Sequence, residues 1–345
     1  MNLESILKLI KPADSSAYDE CIRRFNSVAK PIGSLGGLET LLARVAAIHG
    51  GPDIDIGKKC ALVFCADNGV VSEGVTAYDA KVTTAIGRIM ASGKSSVCVM
   101  AQACGAQVFA VDIGMRDTVD GLIDRKLSRG TENIAVGRAM SRETAIKAIE
   151  IGADFVRLRQ SEGYRLIAVG ETGMGNTTTA SAVASVLLNR PAAEVVGRGA
   201  GLSDEGLLCK RNAVERAIAV NRPNPDDPID VIAKLGGLDI AAMAGAFIGG
   251  AAYGAPMAMD GVISAAAALC AVRMESLVRD YIIPSHISAE PASGLLCGEL
   301  RFEPVLNAGM RLGEGAGAVA LFPVLDLAAA VYRNAATFDD LNMEE

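Results

Sequence analysis

Short, wholly apolar runs alternate along this chain with longer stretches whose apolar positions recur every three or four residues. The short runs predict strands over Cys60–Ala66, Gln107–Val111, Leu166–Val169, Pro256–Met259 and Tyr281–Pro284. The longer stretches predict helices over Asp79–Ser92, Ser95–Cys104, Ser141–Gln160, Ala180–Leu188, Asp204–Val220 and Val262–Asp280, with one or two more over Pro228–Gly250. The strands are apolar throughout rather than on alternate residues, which predicts a parallel sheet covered on both faces. The first fifty residues read as helical, with Ser34 as cap of a helix carrying Leu38, Leu41, Leu42, Val45 and Ile48. Helix signals dominate again towards the C-terminus, and the polar tail after Tyr332 reads as frayed. The expected fold class is α/β. A Rossmann-like domain spans residues 56–290, and residues 1–55 and 291–345 supply a smaller helical lobe.

One segment tests this reading. Ile240–Met259 holds twenty residues without a charge, long enough to span a membrane. It is mostly alanine and glycine, carries Pro256 and lacks basic flanks, so a buried helix, a turn and a short strand are expected instead. Composition narrows the class further. Half of the 345 residues are hydrophobic, only 4% are aromatic, and the net charge is −7. With no basic block and few stacking rings, nucleic acid is not an expected partner. The eight cysteines form no C-x-x-C pair and mostly lie in apolar runs, which points to reduced thiols and the cytoplasm. The first residues, MNLESILKLIKPAD, read as a short amphipathic helix rather than an export signal.

Candidate chemistry gathers where strands end. Four of them close on an acid followed by glycine: Asp67-Asn68-Gly69, Asp112-Ile113-Gly114, Glu171-Thr172-Gly173 and Asp260-Gly261. Ligands of open parallel sheets bind along this carboxyl edge, so a shared acidic crevice is expected. Asp112 is the member most easily explained as turn chemistry. The stretch Leu166–Ser181 is strand, glycine-rich turn and helix. Its glycines admit a ligand close to the backbone, and free N–H groups at the helix start favour phosphate. The same spacing also fits an ordinary helix start capped by Asn176 or Thr177. A second glycine loop, Met310–Ala320, carries Glu314 between Gly313 and Gly315. Its G-x-G-x-G spacing, with no strand before it, disfavours NAD, and no P-loop motif is present. Lys210 is the cation a phosphate cradle among acids would need. His286 and Glu290 are spaced to pair on a helix. Two histidines and no paired thiols give no expected zinc site.

These motifs resemble one family. Lys30–Gly36 (KPIGSLG), Asp67–Val70, Gly170–Thr178 (GETGMGNTT), Gly197–Gly206 (GRGAGLSDEG), Asp260-Gly261 and Arg311–Ala318 (RLGEGAGA) look like the nicotinate-nucleotide–dimethylbenzimidazole phosphoribosyltransferases, in the family's order from about Phe25 to Leu325. The resemblance implies a cytoplasmic homodimer without cofactor or metal. Such an enzyme moves 5-phosphoribose from nicotinate mononucleotide to 5,6-dimethylbenzimidazole during assembly of the cobalamin nucleotide loop. It also implies Glu314 as catalytic base, with Glu171 and Asp260 as acids of the same pocket. Gly173, Met174, Gly175, Asn176, Thr177, Lys210, Gly313 and Gly315 would hold the phosphoribosyl group, and Ala77, Tyr78, Ala85 and Leu312 would border the base. Val75–Ala85 departs from the family pattern, which often has Pro-Gln near Asp79-Ala80 and Gln near Ala85. Ser293–Leu300 lacks the usual Gly-His after Glu290-Pro291. The resemblance therefore leaves the base open among benzimidazoles, adenine and phenols.

Overall fold

A computed structural model of the chain describes residues 1–342. Six parallel strands form one sheet: β1 (Lys59–Ala66), β2 (Gln107–Gly114), β3 (Ile123–Asp124), β4 (Leu166–Thr172), β5 (Met257–Met259) and β6 (Ile282–Pro284). Their order is β3-β2-β1-β4-β5-β6. The chain steps from β1 outward to β2, then returns across β1 to β4. The two crossovers run in opposite directions along the sheet, and the right-handed sense usual for parallel connections places helix Ser96–Ala103 and helix Arg142–Ser161 on opposite faces. Every residue of β1 and β4 is buried, as expected of strands covered on both sides.

The predicted strands are all present, with different ends. β2 and β4 run three residues further than their apolar cores, so Asp112 and Glu171 belong to the strands themselves. The two-residue β3 carries too little pattern to be seen in sequence. Pro228–Gly250 resolves into helices Pro228–Leu235 and Leu238–Tyr253, and Val262–Asp280 into helix Val262–Met274 and a 3-10 turn. The uncharged Ile240–Met259 segment is a buried helix, a turn closed by Gly254 and strand β5. One helix, Ala316–Asn334, is long and apolar enough to cross a membrane; Pro323 lies within it, and its apolar face packs in the core.

Three local expectations need correction. Ser34 does not cap its helix: Gly36 does, without a side chain, and the helix begins at Gly37. Glu39 instead reaches back to the N–H of Leu35 at 3.0 Å and pairs with Lys30 at 2.8 Å. The segment after Tyr332 is tied down rather than frayed, because Ala29 donates to Ala336 and Phe338 donates to Ser27. Residues 343–345 of that tail lie outside the described residues. Finally, His286 and Glu290 do not share a helix. His286 follows β6 and bridges to Leu306 in parallel fashion, so the segment carrying both is not helical. The N- and C-terminal helices meet through the ring pair Phe25–Tyr332, while Leu3 donates to Glu150 on helix Arg142–Ser161.

Candidate active site

At the carboxyl ends of β4 and β5, beside the point where the chain reverses direction across the sheet, lies a cavity of about 240 Å³. Glu171, Asp260 and Glu314 all line it. Each reaches it by a different local device. Glu171 is the next-to-last residue of β4, so its position is fixed by the sheet ladder with β1. Glu314 has φ 61°, a left-handed conformation that is costly for a side chain bearing a Cβ. Gly313 and Gly315 on either side are also left-handed, so three successive residues turn the loop inward. The loop is then held by the Glu314 N–H, which donates to the Glu171 carbonyl at 3.0 Å. Gly170 lets it approach: a Cβ there would collide with the backbone of Glu314 and Gly315.

Asp260 holds the same loop from the other side. Its Oδ2 accepts from Gly315 N–H at 3.2 Å, and its Oδ1 accepts from Gly317 at 2.7 Å and Ala318 at 3.2 Å. It is thus the N-terminal cap of helix Ala316–Asn334, supplied from another strand. His286 packs against the same helix start, with Nδ1 3.8 Å from Asp260 Oδ1. Burial pushes the Asp260 carboxyl above its ordinary range, and His286 and the backbone donors pull it back. Glu171 is raised well above the carboxylate range, first by burial and then by the charges of Asp239 and Asp260. Glu314 is raised by burial, offset by the Val97 N–H at 3.3 Å and by Ser95.

The glycine turn after β4 is open as a cradle. Gly175 stands at the cap position of helix Asn176–Leu187 and no side chain caps it, so neither Asn176 nor Thr177 closes the helix start. Asn176 Nδ2 instead donates to Glu171 Oε2. Gly173, Met174, Asn176, Thr177 and Gly313 line the cavity. Gly175 sits just behind the lining and packs on Val70 and Val71, and Gly315 is turned towards Asp260. Lys210 does not line the cavity. It is fully buried behind Thr177, donating to Thr177 Oγ1 at 2.8 Å and the Gly197 carbonyl at 3.1 Å. Desolvation lowers its ammonium to about 8, although Glu290 opposes this.

The apolar wall differs from expectation. Tyr78 and Leu312 line it, but Ala77 and Ala85 are exposed and take no part. Val82 and Ile86 take the place assigned to Ala85: four residues apart, they share one face of helix Lys81–Ala91, while Ala85 is turned about 60° from Val82 and about 100° from Ile86, towards solvent. Nor do all four acidic strand ends converge. Asp67 accepts from Arg116 N–H at 2.8 Å, in the turn that follows β2, and Asp112 accepts from Met115 N–H at 2.9 Å in its own turn and pairs with Lys126 at 3.1 Å, so neither faces the cavity. Sequence reading missed His286, Ser288, Glu290 and Arg311 as lining residues. Arg311 adjoins the second glycine loop, a signal that was available; Glu290 was hidden by the mistaken helix, and its Oε1 accepts from Gly199 N–H at 2.9 Å.

Comparison with known proteins gives this arrangement a family. A family model described as phosphoribosyltransferase matches residues 10–342. The chain is 47% identical to the nicotinate-nucleotide–dimethylbenzimidazole phosphoribosyltransferase of Acetivibrio thermocellus, covering 98% of this chain and 97% of that one. It belongs to the nicotinate-nucleotide–dimethylbenzimidazole phosphoribosyltransferase family. The Clostridium acetobutylicum member is 42% identical over 100% of this chain and 98% of its own length. The crystal structure of CobT from Thermus thermophilus superposes with a TM-score of 0.91 at 36% identity, over 96% of this chain and 99% of that one. The likeness to these family members therefore spans the fold as well as the motifs.

Proposed function

We propose that the chain transfers 5-phosphoribose from nicotinate mononucleotide to 5,6-dimethylbenzimidazole or a closely related base. The products are α-ribazole 5′-phosphate and nicotinate. The names of its relatives supply the substrate class. The observation that carries the reading is the convergence of Glu171 and Glu314 beside an uncapped helix start, in a pocket with an apolar wall. The 5′-phosphate sits at the N–H groups of the Gly173–Thr177 turn, which Lys210 polarises through Thr177. The base lies against Tyr78, Val82, Ile86, Met174 and Leu312.

The bond changes then follow from chemistry. One ring nitrogen of the base attacks C1′ on the face opposite nicotinate. The C1′–nicotinate bond breaks with its electron pair on the departing ring nitrogen, which leaves neutral and needs no proton. A single displacement inverts β to α. Positive charge develops on the ribosyl carbon, and the carboxylate of Glu171 steadies it. The base must lose the proton of its other nitrogen, and Glu314 takes it. The raised Glu314 carboxyl suits this task, because a base that is too acidic would not hold the proton. Asp260, with both oxygens committed to backbone donors, positions Glu314 rather than reacting. All eight cysteines are unpaired, which supports action in the reducing cytoplasm. Incubation with nicotinate mononucleotide and dimethylbenzimidazole should release nicotinate and α-nucleotide in equal amounts. Binding of both compounds without nicotinate release would overturn the reading.

A further inference from the structure

One acid that lines the pocket takes no part in this scheme. Glu290 stands between β6 and helix Ala292–Glu299, and its side chain reaches across to the glycine-rich segment Gly197–Gly201. Its Oε1 accepts the Gly199 N–H at 2.9 Å. Lys210, on helix Asp204–Asn221, holds the same segment: its Nζ donates to the Gly197 carbonyl at 3.1 Å and to Thr177 Oγ1 at 2.8 Å. The segment is thus gripped by a carboxylate and an ammonium, with no room for a side chain at either point. A Cβ on Gly197 would collide with the Glu290 carboxylate, and one on Gly199 would lie 2.9 Å from Thr177 Oγ1 and 3.3 Å from Lys210 Nζ. Glu290 is itself firmly based. Its N–H donates to Ser288 Oγ at 3.2 Å, and its carbonyl accepts from Ser293 N–H at 3.0 Å. The neighbouring Ala289 N–H donates to the Met310 carbonyl at 3.0 Å, at the start of the loop that carries Glu314.

We propose that Glu290 is a positioning residue for the 5′-phosphate of the donor: by pinning Gly199 beside Thr177 and Lys210, it fixes Gly199 and Ala200 as a second wall of the phosphate cradle, next to the Gly173–Thr177 turn. Gly199 and Ala200 line the cavity together with Thr177 and Glu290. A segment with glycine at 197, 199 and 201 has many backbone conformations open to it, and ordering it costs free energy. Gly199 and Gly201 are both left-handed, with φ 53° and 105°, so the path taken is one that other residues rarely follow. A hydrogen bond to a carboxylate is stronger than one between neutral groups, which suits a single contact that must hold such a segment. With the wall set before the donor arrives, binding does not have to order it. The same pin keeps the Gly197 carbonyl at Lys210, so the lysine is held at Thr177 and the helix start rather than released from them.

The proposal rests on the phosphoribosyl reading, which puts the phosphate at Thr177, but its first test needs no transfer. Calorimetric titration of the full-length protein with nicotinate mononucleotide, and with nicotinate riboside, which lacks the phosphate, compares wild type, Glu290→Ala and Glu290→Gln. Glu290→Ala should weaken the mononucleotide about tenfold or more and the riboside less than about threefold, because only the phosphate meets the loosened wall. Glu290→Gln keeps an oxygen able to accept from Gly199 and should recover most of the lost affinity. If Glu290→Ala does not fold, Glu290→Asp, a methylene shorter, makes the same comparison. Equal weakening of both compounds, or an unchanged mononucleotide affinity, would overturn the proposal. In steady state the loss should appear in KM for the mononucleotide more than in kcat. A fall in kcat at unchanged KM would place Glu290 in the chemistry and overturn the positioning role. Phosphate-selective weakening in a protein that transfers nothing to a base would fail the functional reading alone.

Discussion

Glu314 is held in a backbone conformation that its own side chain disfavours, and the surrounding contacts make that possible. The tightest of them is at Gly170, against which the Glu314-Gly315 peptide rests. Gly170→Ala should therefore push the loop outward without unfolding the sheet. A misplacement approaching 1 Å at a catalytic group costs on the order of a hundredfold, so kcat should fall by tenfold to about a hundredfold. Steady-state kinetics beside an unchanged far-ultraviolet circular dichroism spectrum would check this. At this scale the sequence was informative about where acids stand and poor about what they touch. Glu171 and Glu314 were legible because each interrupts a glycine turn. The same pattern also marked Asp67 and Asp112, whose carboxylates bond to nearby backbone N–H groups instead. An acid–glycine turn can aim its carboxylate at a ligand or at its own backbone, and only the fold decides. Val82 and Ile86 were missed because a helix face, not a motif, brings them to the pocket.

Elements meet here through small residues and borrowed caps. Helix Ala316–Asn334 starts without a cap of its own and takes Asp260 from the end of β5. Asp260→Ala should leave three buried backbone donors unsatisfied and cost about 2–4 kcal/mol, with a lower melting temperature. Asp260→Asn keeps one acceptor and should lose less. Helices Arg142–Ser161 and Leu238–Tyr253 cross closely, and a Cβ on Gly245 would collide with the Ile149 carbonyl. Gly245→Ala should destabilise the protein by several kcal/mol, on the order seen for overpacked cores. In contrast, Gly294 in helix Ala292–Glu299 has open space around it, and Gly294→Ala should be neutral or stabilise by about 0.5–1 kcal/mol. Thermal unfolding of the two variants side by side separates these expectations. The strands were legible because short apolar runs of four to seven residues, most of them closed by Asp or Gly, have few other uses. The path after β6 was not, since His286 to Glu290 carries a helical spacing while the backbone follows Leu306.

For the whole molecule, buried acids around one pocket link stability to pH. Burial raises Asp239 to about 6, above its ordinary value near 3.9. The folded state therefore binds more protons than the unfolded state between roughly pH 4 and 6. Stability from this group is full below about pH 4 and is lost as pH rises through 6, on the order of 3 kcal/mol. Unfolding of wild type and Asp239→Asn compared from pH 4 to 7 should show a flatter slope in the variant; parallel curves would contradict the assignment. The same pocket that carries this cost carries the chemistry, and its central claim is that Glu314 accepts the proton of the attacking base. The most direct test is the single-turnover rate of nicotinate release in Glu314→Gln, with mononucleotide affinity measured on the same protein. The account predicts a folded variant that binds the mononucleotide much as wild type does and releases nicotinate about 10²–10⁴ times more slowly. Release at the wild-type rate would contradict it.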